Sequence, residues 1–333
     1  MKVADGVFQL QVPIPRRGMT EEGGLPNTLT YLVEEPGGWV LIDAGWNDDK
    51  SFHAFQKQLA AAGLAPRDIR WLVITHHHWD HVGLARRIKE FTGARLVMHE
   101  RDVRWAFAAR LNSDGTARRK VRDWMVRQGV PPQDLAAIFR GHRWAPPVPE
   151  VDVDVRIADR ETPIGGSPTL RALHTPGHTA GHLCLYDSRR RLLFSGDHLL
   201  PEITPNISLF PMSRANPLGA YLESLRRVAS LEADTVLPAH QWTFSNLRQR
   251  AEEIAEHHEA RLREMLNALG SGPRTAYQVA ASIAWNVGPW HTLGLWTRMS
   301  ALFETMAHLR LLERRGEVRE VADEDSVVYV RSG

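Results

Sequence analysis

The chain has 333 residues, of which 43% are hydrophobic, so it can bury the core of one large domain and a small one. Its 41 lysines and arginines against 39 acidic residues give a net charge of +2, which lacks the dense positive charge of dedicated nucleic-acid-binding domains. The single cysteine, Cys184, excludes an intramolecular disulfide and a thiolate metal cluster. No signal-peptide pattern or membrane-length apolar stretch is present, so we expect a cytoplasmic protein without a membrane partner.

Residues 1–245 repeat one pattern, in which a short apolar run is followed by a turn that carries His or Asp. The runs are "WVLIDAG", "IRWLVITHHHWDH", "TLRALHTPGH", "RLLFSGDH" and "ADTVLPAH". Such runs are typical of buried strands alternating with helices, which indicates an α/β or α+β fold. We assign residues 1–248 to this domain, with a helical insertion at about 100–143 where apolar residues recur every three or four positions.

The last third of the chain predicts a second, smaller unit. Residues 249–270 form a charged amphipathic connecting helix that stops at "GSGP". Residues 271–333 begin with a capping box, Thr275 and Gln278, and continue with a helix near 295–314, a turn at Gly316 and two short strands. Helices followed by a hairpin favour a small winged-helix domain, and this domain or the insertion is our candidate surface for a homodimer.

Residues 73–83, "VITHHHWDHVG", contain four histidines and one aspartate, all of them candidate metal ligands or their neighbours. A strand that ends near Thr75 would direct His76 and His78 to one side of the following turn, and Asp80 and His81 to the next. One segment would then offer ligands to two neighbouring cations. Imidazole and carboxylate donors suit zinc, manganese or iron, and a catalytic site is favoured over a structural one because thiolates are absent.

Three later stretches place His178, Asp197 and His240 directly after strands, in "HTPGHTAGH", "FSGDH" and "LPAH". Together these motifs resemble those of the metallo-β-lactamase superfamily, and "THHHWDH", "TPGHTAGH" and "SGD" resemble its glyoxalase II-type branch. The resemblance covers residues 1–245. It implies a four-layer αββα sandwich with two divalent metals, most often Zn²⁺, at one edge of its paired sheets.

Carried over by position, the resemblance implies that His76, His78 and His178 bind one metal. Asp80, His81 and His240 would bind the other, and Asp197 would bridge the two. Asp43 in "LIDAG" matches the first motif, which usually holds a ligand loop by hydrogen bonds. The fifth motif usually reads Pro-Gly-His, whereas this chain has Pro238-Ala239-His240. The C-terminal unit resembles the winged-helix tail of the β-lactamase-like protein 2 subgroup, which includes an endoribonuclease.

Several further residues carry weaker predictions. His77 should point away from the metals, His182 should support the site by hydrogen bonds, and His257 and His258 should lie on a solvated helix face. Residues that could line a substrate cleft are Trp79, Trp105, Trp124, Trp144 and Leu200. The predicted exposed face of the 295–314 helix consists of Thr297, Arg298, Ser300, Ala301, Glu304, Thr305 and His308, a poor electrostatic surface for nucleic acid.

These observations predict a binuclear metal-dependent hydrolase with a small-molecule substrate. A metal-bridging hydroxide would attack a small ester, thioester or lactone, with Asp80 and Asp197 as the catalytic carboxylates. The alternative is a metal-dependent endoribonuclease or phosphodiesterase acting on single-stranded nucleic acid, which is disfavoured because the one arginine of the helix face is cancelled by one glutamate. A minor alternative is a non-catalytic metal-dependent regulator.

Overall fold

A computed structural model describes residues 1–15, 25–106, 115–140, 149–158, 161–211, 213, 215–322 and 326–332, without the side chains of residues 105, 116 and 117. The chain divides into two compact units. The sheet unit comprises Met1–Ala109, Pro146–Pro205 and Ser224–Ala251, and the helical unit comprises Arg110–Ala145, Asn206–Glu223 and Glu252–Gly333. Most of the predicted insertion therefore groups with the C-terminal residues, and the domain limits drawn from the sequence stay a prediction.

Two sheets form the centre of the sheet unit. The first has seven strands in chain order: β1 (Lys2–Ala4), β2 (Val7–Pro13), β3 (Asn27–Glu35), β4 (Gly38–Ile42), β5 (Ile69–Val73), β6 (Arg95–His99) and β7 (Val155–Ile157). The second contains β8 (Thr162–Pro163), β9 (Leu170–His174), β10 (Leu183–Asp187), β11 (Leu192–Gly196) and β12 (Thr235–Pro238), with β12 and β8 at its edges. Strands β4 to β7 pair in parallel, as do β11 and β12.

The inner faces of these sheets pack against each other because alternate strand residues are apolar and buried. Tyr31, Val40 and Val73 of the first sheet share one core with Leu185 and Phe194 of the second. The core on the outer face of the first sheet includes residues of helices α1 (Asp49–Ala61), α2 (Trp79–Val82) and α3 (Ala85–Thr92). Short helix α4 (Glu100–Ala106) follows β6.

The fourth layer lies beside the second sheet. It is formed by residues 224–229 of helix α7 (Pro217–Ala229), where the Ser224 hydroxyl donates to the Pro176 carbonyl oxygen over 2.9 Å. The predicted αββα architecture is therefore confirmed.

The helical unit contains helices α5 (Gly115–Arg127) and α6 (Pro132–Arg140), the beginning of α7, and most of α8 (Leu247–Leu269). It continues with α9 (Ala276–Ser282), α10 (Leu295–Arg314), and a hairpin of β13 (Val318–Ala322) and β14 (Val327–Arg331). The capping box at Thr275 is present, with the Gln278 N–H donating to the Thr275 hydroxyl. The predicted order of elements is found, whereas the winged-helix class stays a prediction.

Two predictions of solvent-exposed helix faces are wrong. Ala301, Thr305 and His308 of α10 are buried, and so is His258 of α8. The cause is packing between these helices, since Nδ1 of His258 lies 3.1 Å from Nε2 of His308. Helical periodicity identifies an apolar stripe, but it does not show that a second, more polar face is also covered. Among the described residues, no helix is long and apolar enough to cross a membrane.

Candidate metal centre

The predicted ligand segments begin at the ends of strands β5, β9, β11 and β12, which meet at one edge of the two sheets. Backbone hydrogen bonds join these loops, one between the two sheets and one within the second sheet. The Leu183 N–H donates to the Thr75 carbonyl over 2.8 Å, and the Ala239 N–H donates to the Gly196 carbonyl over 3.0 Å. Turns separated by as many as 164 positions in sequence, such as those at residues 76 and 240, are thereby held at one place.

The first group of candidate ligands consists of His76, His78, His178 and Asp197, whose ligand atoms all lie within 4.8 Å of one another. Nδ1 of His78 lies 3.0 Å from Nε2 of His76 and 3.0 Å from Nε2 of His178. A tetrahedral zinc ion with Zn–N bonds of about 2.0 Å would hold its nitrogens about 3.3 Å apart, so the observed spacing fits such an ion.

The second group consists of Asp80, His81 and His240, again with ligand atoms within 4.8 Å of one another. Oδ2 of Asp80 lies 3.3 Å from Nε2 of His240 and 3.7 Å from Nε2 of His81. Asp80 and His81 belong to α2, directly after the loop that carries His76 and His78. The two groups are therefore adjacent.

Asp197 lies between the two groups and turns one carboxylate oxygen toward each. Its Oδ1 is 3.5 Å from Nε2 of His81 and 3.4 Å from Nε2 of His240. Its Oδ2 is 3.6 Å from Nε2 of His178 and 3.9 Å from Nε2 of His76. This is the geometry expected of a carboxylate shared by two cations.

Three of the imidazoles have their Nδ1 occupied by a hydrogen bond away from the centre. Nδ1 of His76 lies 3.0 Å from the Thr75 hydroxyl, and Nδ1 of His81 lies 2.8 Å from Oδ2 of Asp43. Nδ1 of His240 lies 3.0 Å from the Asn27 carbonyl oxygen, which can only accept. With Nδ1 as the donor, each ring keeps the lone pair on Nε2 available for a metal.

Burial and neighbouring charges shift the pKa values of these groups in opposite directions. Burial lowers the pKa of His76 well below its usual value, and the adjacent rings of His81 and His78 lower it further. Burial raises the pKa of Asp197, but His240 and His81 outweigh this effect and hold it well below the usual range. For His81, burial lowers the pKa, but the carboxylates of Asp197, Asp43 and Asp80 outweigh it and raise the pKa well above its usual value.

Two buried atoms at the centre test whether a cation fits. Nε2 of His81 and Oδ1 of Asp197 have no hydrogen-bond partner among the described residues, although burial of an unpaired polar atom costs about 1–3 kcal/mol. Both atoms face the other candidate ligands. A donor set of imidazoles and carboxylates without thiolate suits a divalent cation such as Zn²⁺, Mn²⁺ or Fe²⁺. The residues present therefore fit a divalent metal centre.

Asp102 is a supporting residue that the sequence analysis missed. Its buried carboxylate accepts hydrogen bonds from the backbone N–H and Nδ1 of His77, both 3.0 Å from Oδ2. Burial raises the pKa of Asp102, but its hydrogen bonds from His77, Thr179 and Gly181 outweigh burial and hold it well below the usual range. Asp102 lies three residues after β6, so the pattern of polar residues following strands offered a signal for it.

His182 has hydrogen-bonding partners on both ring nitrogens. Its Nε2 accepts the Asp197 N–H over 3.2 Å, and its Nδ1 lies 2.8 Å from the Thr175 hydroxyl. Gly196 must lack a side chain here, because its φ is +51° and a Cβ would lie 2.8 Å from Nε2 of His182. His77 points to Asp102, away from both ligand groups.

The predicted cleft residues have different positions. Trp79 is half-buried and packs edge-on against Trp46, with ring centroids 6.4 Å apart. Leu200 is only 2% exposed, so its side chain packs in the core and does not suit a cleft-lining role. Trp124 is half-buried in the helical unit, where it packs near Phe303. Trp144 and the side chain of Trp105 lie outside the described residues.

The chain is similar to known proteins along most of its length. It is 26% identical over 329 residues to the probable metallo-hydrolase YqjP of Bacillus subtilis, covering 98% of both chains. It is 26% identical over 314 residues to a beta-lactamase-like protein 2 homolog of Drosophila melanogaster, covering 92% of this chain and 89% of that protein.

The same likeness extends to solved structures. The crystal structure of a beta-lactamase domain protein from Burkholderia ambifaria matches with a TM-score of 0.83 and 27% identity, over 100% of this chain and 94% of that one. The model of the metallo-beta-lactamase superfamily matches residues 23–240, which include all seven candidate ligands. The chain therefore belongs to the metallo-beta-lactamase superfamily.

Proposed function

We propose that this chain is a binuclear metal-dependent hydrolase that cleaves a small ester, thioester or lactone. The observation that carries the proposal is the position of Asp197, whose two oxygens face two separate groups of ligand atoms at distances of 3.4 to 3.9 Å. His76, His78 and His178 would hold one cation, and Asp80, His81 and His240 the other. Zn²⁺ is the cation we favour for this donor set, ahead of Mn²⁺ and Fe²⁺.

Two bound divalent cations would supply an activated water near neutral pH and would polarise the substrate's carbonyl. Asp197 would set the spacing of the two cation sites. Asp80 is the more accessible of the two catalytic carboxylates, with 24% of its side chain exposed against 12% for Asp197. Its carboxylate, held ionised by His81 and His240 against the opposing effect of burial, can orient the attacking water by accepting a hydrogen bond from it.

Removing the shared carboxylate tests the binuclear centre. We expect Asp197→Ala to bind about one equivalent of metal or less, where the natural protein binds two, and to lose at least about a thousandfold in turnover. Its metal-free form should fold normally, because the removed carboxylate has no hydrogen-bonded partner at Oδ1. Metal analysis and circular dichroism measure these properties. Near-normal metal content and turnover in Asp197→Ala would contradict the shared role.

The substrate class requires a panel of thioesters, lactones, aryl esters, bis-phosphodiesters and single-stranded RNA, assayed with the zinc-loaded protein. We expect turnover of a carboxylic ester, thioester or lactone. Burial of His308 and Thr305 leaves few polar groups on the α10 face that would have to contact nucleic acid. Hydrolysis of RNA alone, with binding that weakens steeply as salt rises, would instead establish the endoribonuclease alternative.

A further inference from the structure

Asp102 makes hydrogen bonds to two separate loops of the candidate metal centre. The loop after β5 donates the His77 backbone N–H and Nδ1 to Oδ2, both over 3.0 Å. The loop after β9 donates the Thr179 hydroxyl to Oδ2 over 2.7 Å and the Gly181 N–H to Oδ1 over 2.6 Å. The carboxylate therefore has donors on both oxygens, and it is fully buried.

Two of the residues that bind Asp102 are direct neighbours of candidate ligands of the first group. His77 lies between His76 and His78, and Thr179 follows His178. Nδ1 of His78 lies 3.0 Å from Nε2 of both His76 and His178. A small relative movement of the two loops would therefore separate these ligand atoms. By contrast, His81 and His240 of the second group are held by Asp43 and Asn27.

The packing around Asp102 is adapted to its carboxylate. A Cβ on Gly181 would lie 2.7 Å from Oδ1 of Asp102 and 2.8 Å from its backbone nitrogen, closer than side-chain carbons approach such atoms. Glycine at this position lets the β9 loop approach the carboxylate directly. Thr179 is also buried, so water does not compete for these hydrogen bonds.

We propose that Asp102 is a positioning residue that fixes the His76–His78 loop against the His178 loop, so that both present ligands to the same cation. This inference rests on the proposed metal centre and assigns its first group a support distinct from that of the second. Loss of the carboxylate should weaken cation binding at the first group, while the second group retains its own supports.

The test is metal binding by the full chain, measured by competition with a chelator for Zn²⁺ and by the visible spectrum on titration with Co²⁺. In Asp102→Asn an amide N–H₂ replaces one acceptor oxygen. This new donor would face a donor from one of the two loops, so that hydrogen bond is lost. We expect one of the two cations to bind about tenfold to a hundredfold more weakly, the usual effect of removing a residue that supports a ligand, while the other keeps its affinity. The exposed Asp152→Asn, with the same charge change, serves as the matched control and should bind both cations normally.

The second variant, Thr179→Val, removes one hydrogen bond at nearly constant shape and should weaken the same cation several-fold. It decides the question if Asp102→Asn does not fold, as judged by circular dichroism of the metal-free protein. A purely structural role would lower the melting temperature of the metal-free variants without weakening either cation, and that result would overturn the proposal. Equal weakening of both cations would also overturn it. If the natural protein bound neither cation, the proposed metal centre itself would fail.

Discussion

Asp43 combines an unusual backbone conformation with a central hydrogen-bonding position. Its φ of +63° lies in the left-handed region, where Asp and Asn are tolerated better than other non-glycine residues. There its Oδ1 accepts the Thr75 N–H over 2.8 Å, and its Oδ2 accepts Nδ1–H of His81 over 2.8 Å. One carboxylate thus fixes the start of the ligand loop and the orientation of a ligand at its end.

Asp43→Asn should separate these two effects. Asparagine keeps the left-handed backbone and can still accept from Thr75, but its amide N–H₂ would face the Nδ1–H of His81. His81 must then turn or move its proton to Nε2, where it blocks metal binding. We expect the affinity for one cation to fall about tenfold to a hundredfold in chelator competition. Asp5→Asn, at a fully exposed site, is the control, and equal affinities in the two variants would contradict this role for Asp43.

At the scale of elements, helix α2 is held against the loop after β4 by direct backbone contact. The N–H groups of Ala44 and Gly45 donate to the His81 carbonyl over 2.8 and 3.2 Å. A Cβ on Gly83 would lie 2.8 Å from both the Asn47 nitrogen and the Gly45 oxygen. Because α2 carries Asp80 and His81, this packing places two candidate ligands.

Gly83→Ala should therefore force α2 away from the loop. We expect a loss of about 1–3 kcal/mol in the free energy of unfolding, typical of overpacking, together with weaker metal binding. Gly294→Ala is the control: a Cβ there meets no atom within 4 Å, and as the N-cap of α10 this position should lose less than about 1 kcal/mol and leave metal binding unchanged. Urea unfolding compares the two variants, and indistinguishable midpoints would show that α2 can shift at no cost.

The sequence predicts the elements from local patterns, and the family resemblance of its short motifs predicts the seven candidate ligands. Apolar runs followed by His or Asp identify the strand ends. The capping residues and glycines that mark the ends of α8 to α10 lie next to those helices in the sequence. Asp102 was missed because its partners lie 25 and 77 positions away. His258 was misassigned because its partner His308 is 50 positions away, on another helix.

The His258–His308 pair predicts a pH dependence for the helical unit. Burial lowers the pKa of His308 to about 4 and that of His258 well below its usual value. The unfolded chain, with imidazole pKa values near ~6.5, therefore binds more protons below that pH than the folded chain does. Stability should be intact above pH ~6.5 and decline as the pH falls toward 4, by up to about 3 kcal/mol for His308.

Urea unfolding at several pH values measures this decline. His308→Asn removes the titrating ring and can keep the hydrogen bond to the Glu304 carbonyl, so its stability should depend less on pH than that of the natural protein. His53→Gln removes an exposed histidine and should leave the pH dependence unchanged. If His308→Asn shows the same decline as the natural protein, protonation of this pair does not drive it.

At the scale of the whole molecule, the two units depend on different chemistry. All seven candidate ligands belong to the sheet unit, whereas the buried histidine pair belongs to the helical unit. A cation that binds only the folded state stabilises it by about 2.7 kcal/mol at a free concentration of 100 times its Kd. Metal removal should therefore act on the sheet unit first.

Hydrogen exchange measured by mass spectrometry, with and without a chelator, can locate this effect. We expect chelation to speed exchange in peptides covering residues 69–83, 174–183, 192–199 and 235–241. The turns in these peptides carry the imidazole and carboxylate ligands, which repel one another when the cations are removed. Peptides covering residues 255–266 and 299–312 should exchange at unchanged rates, since their hydrogen bonds involve no candidate ligand. Adding back Zn²⁺ should restore the slow exchange. A uniform increase over both units would show instead that the cations stabilise the chain as one cooperative body.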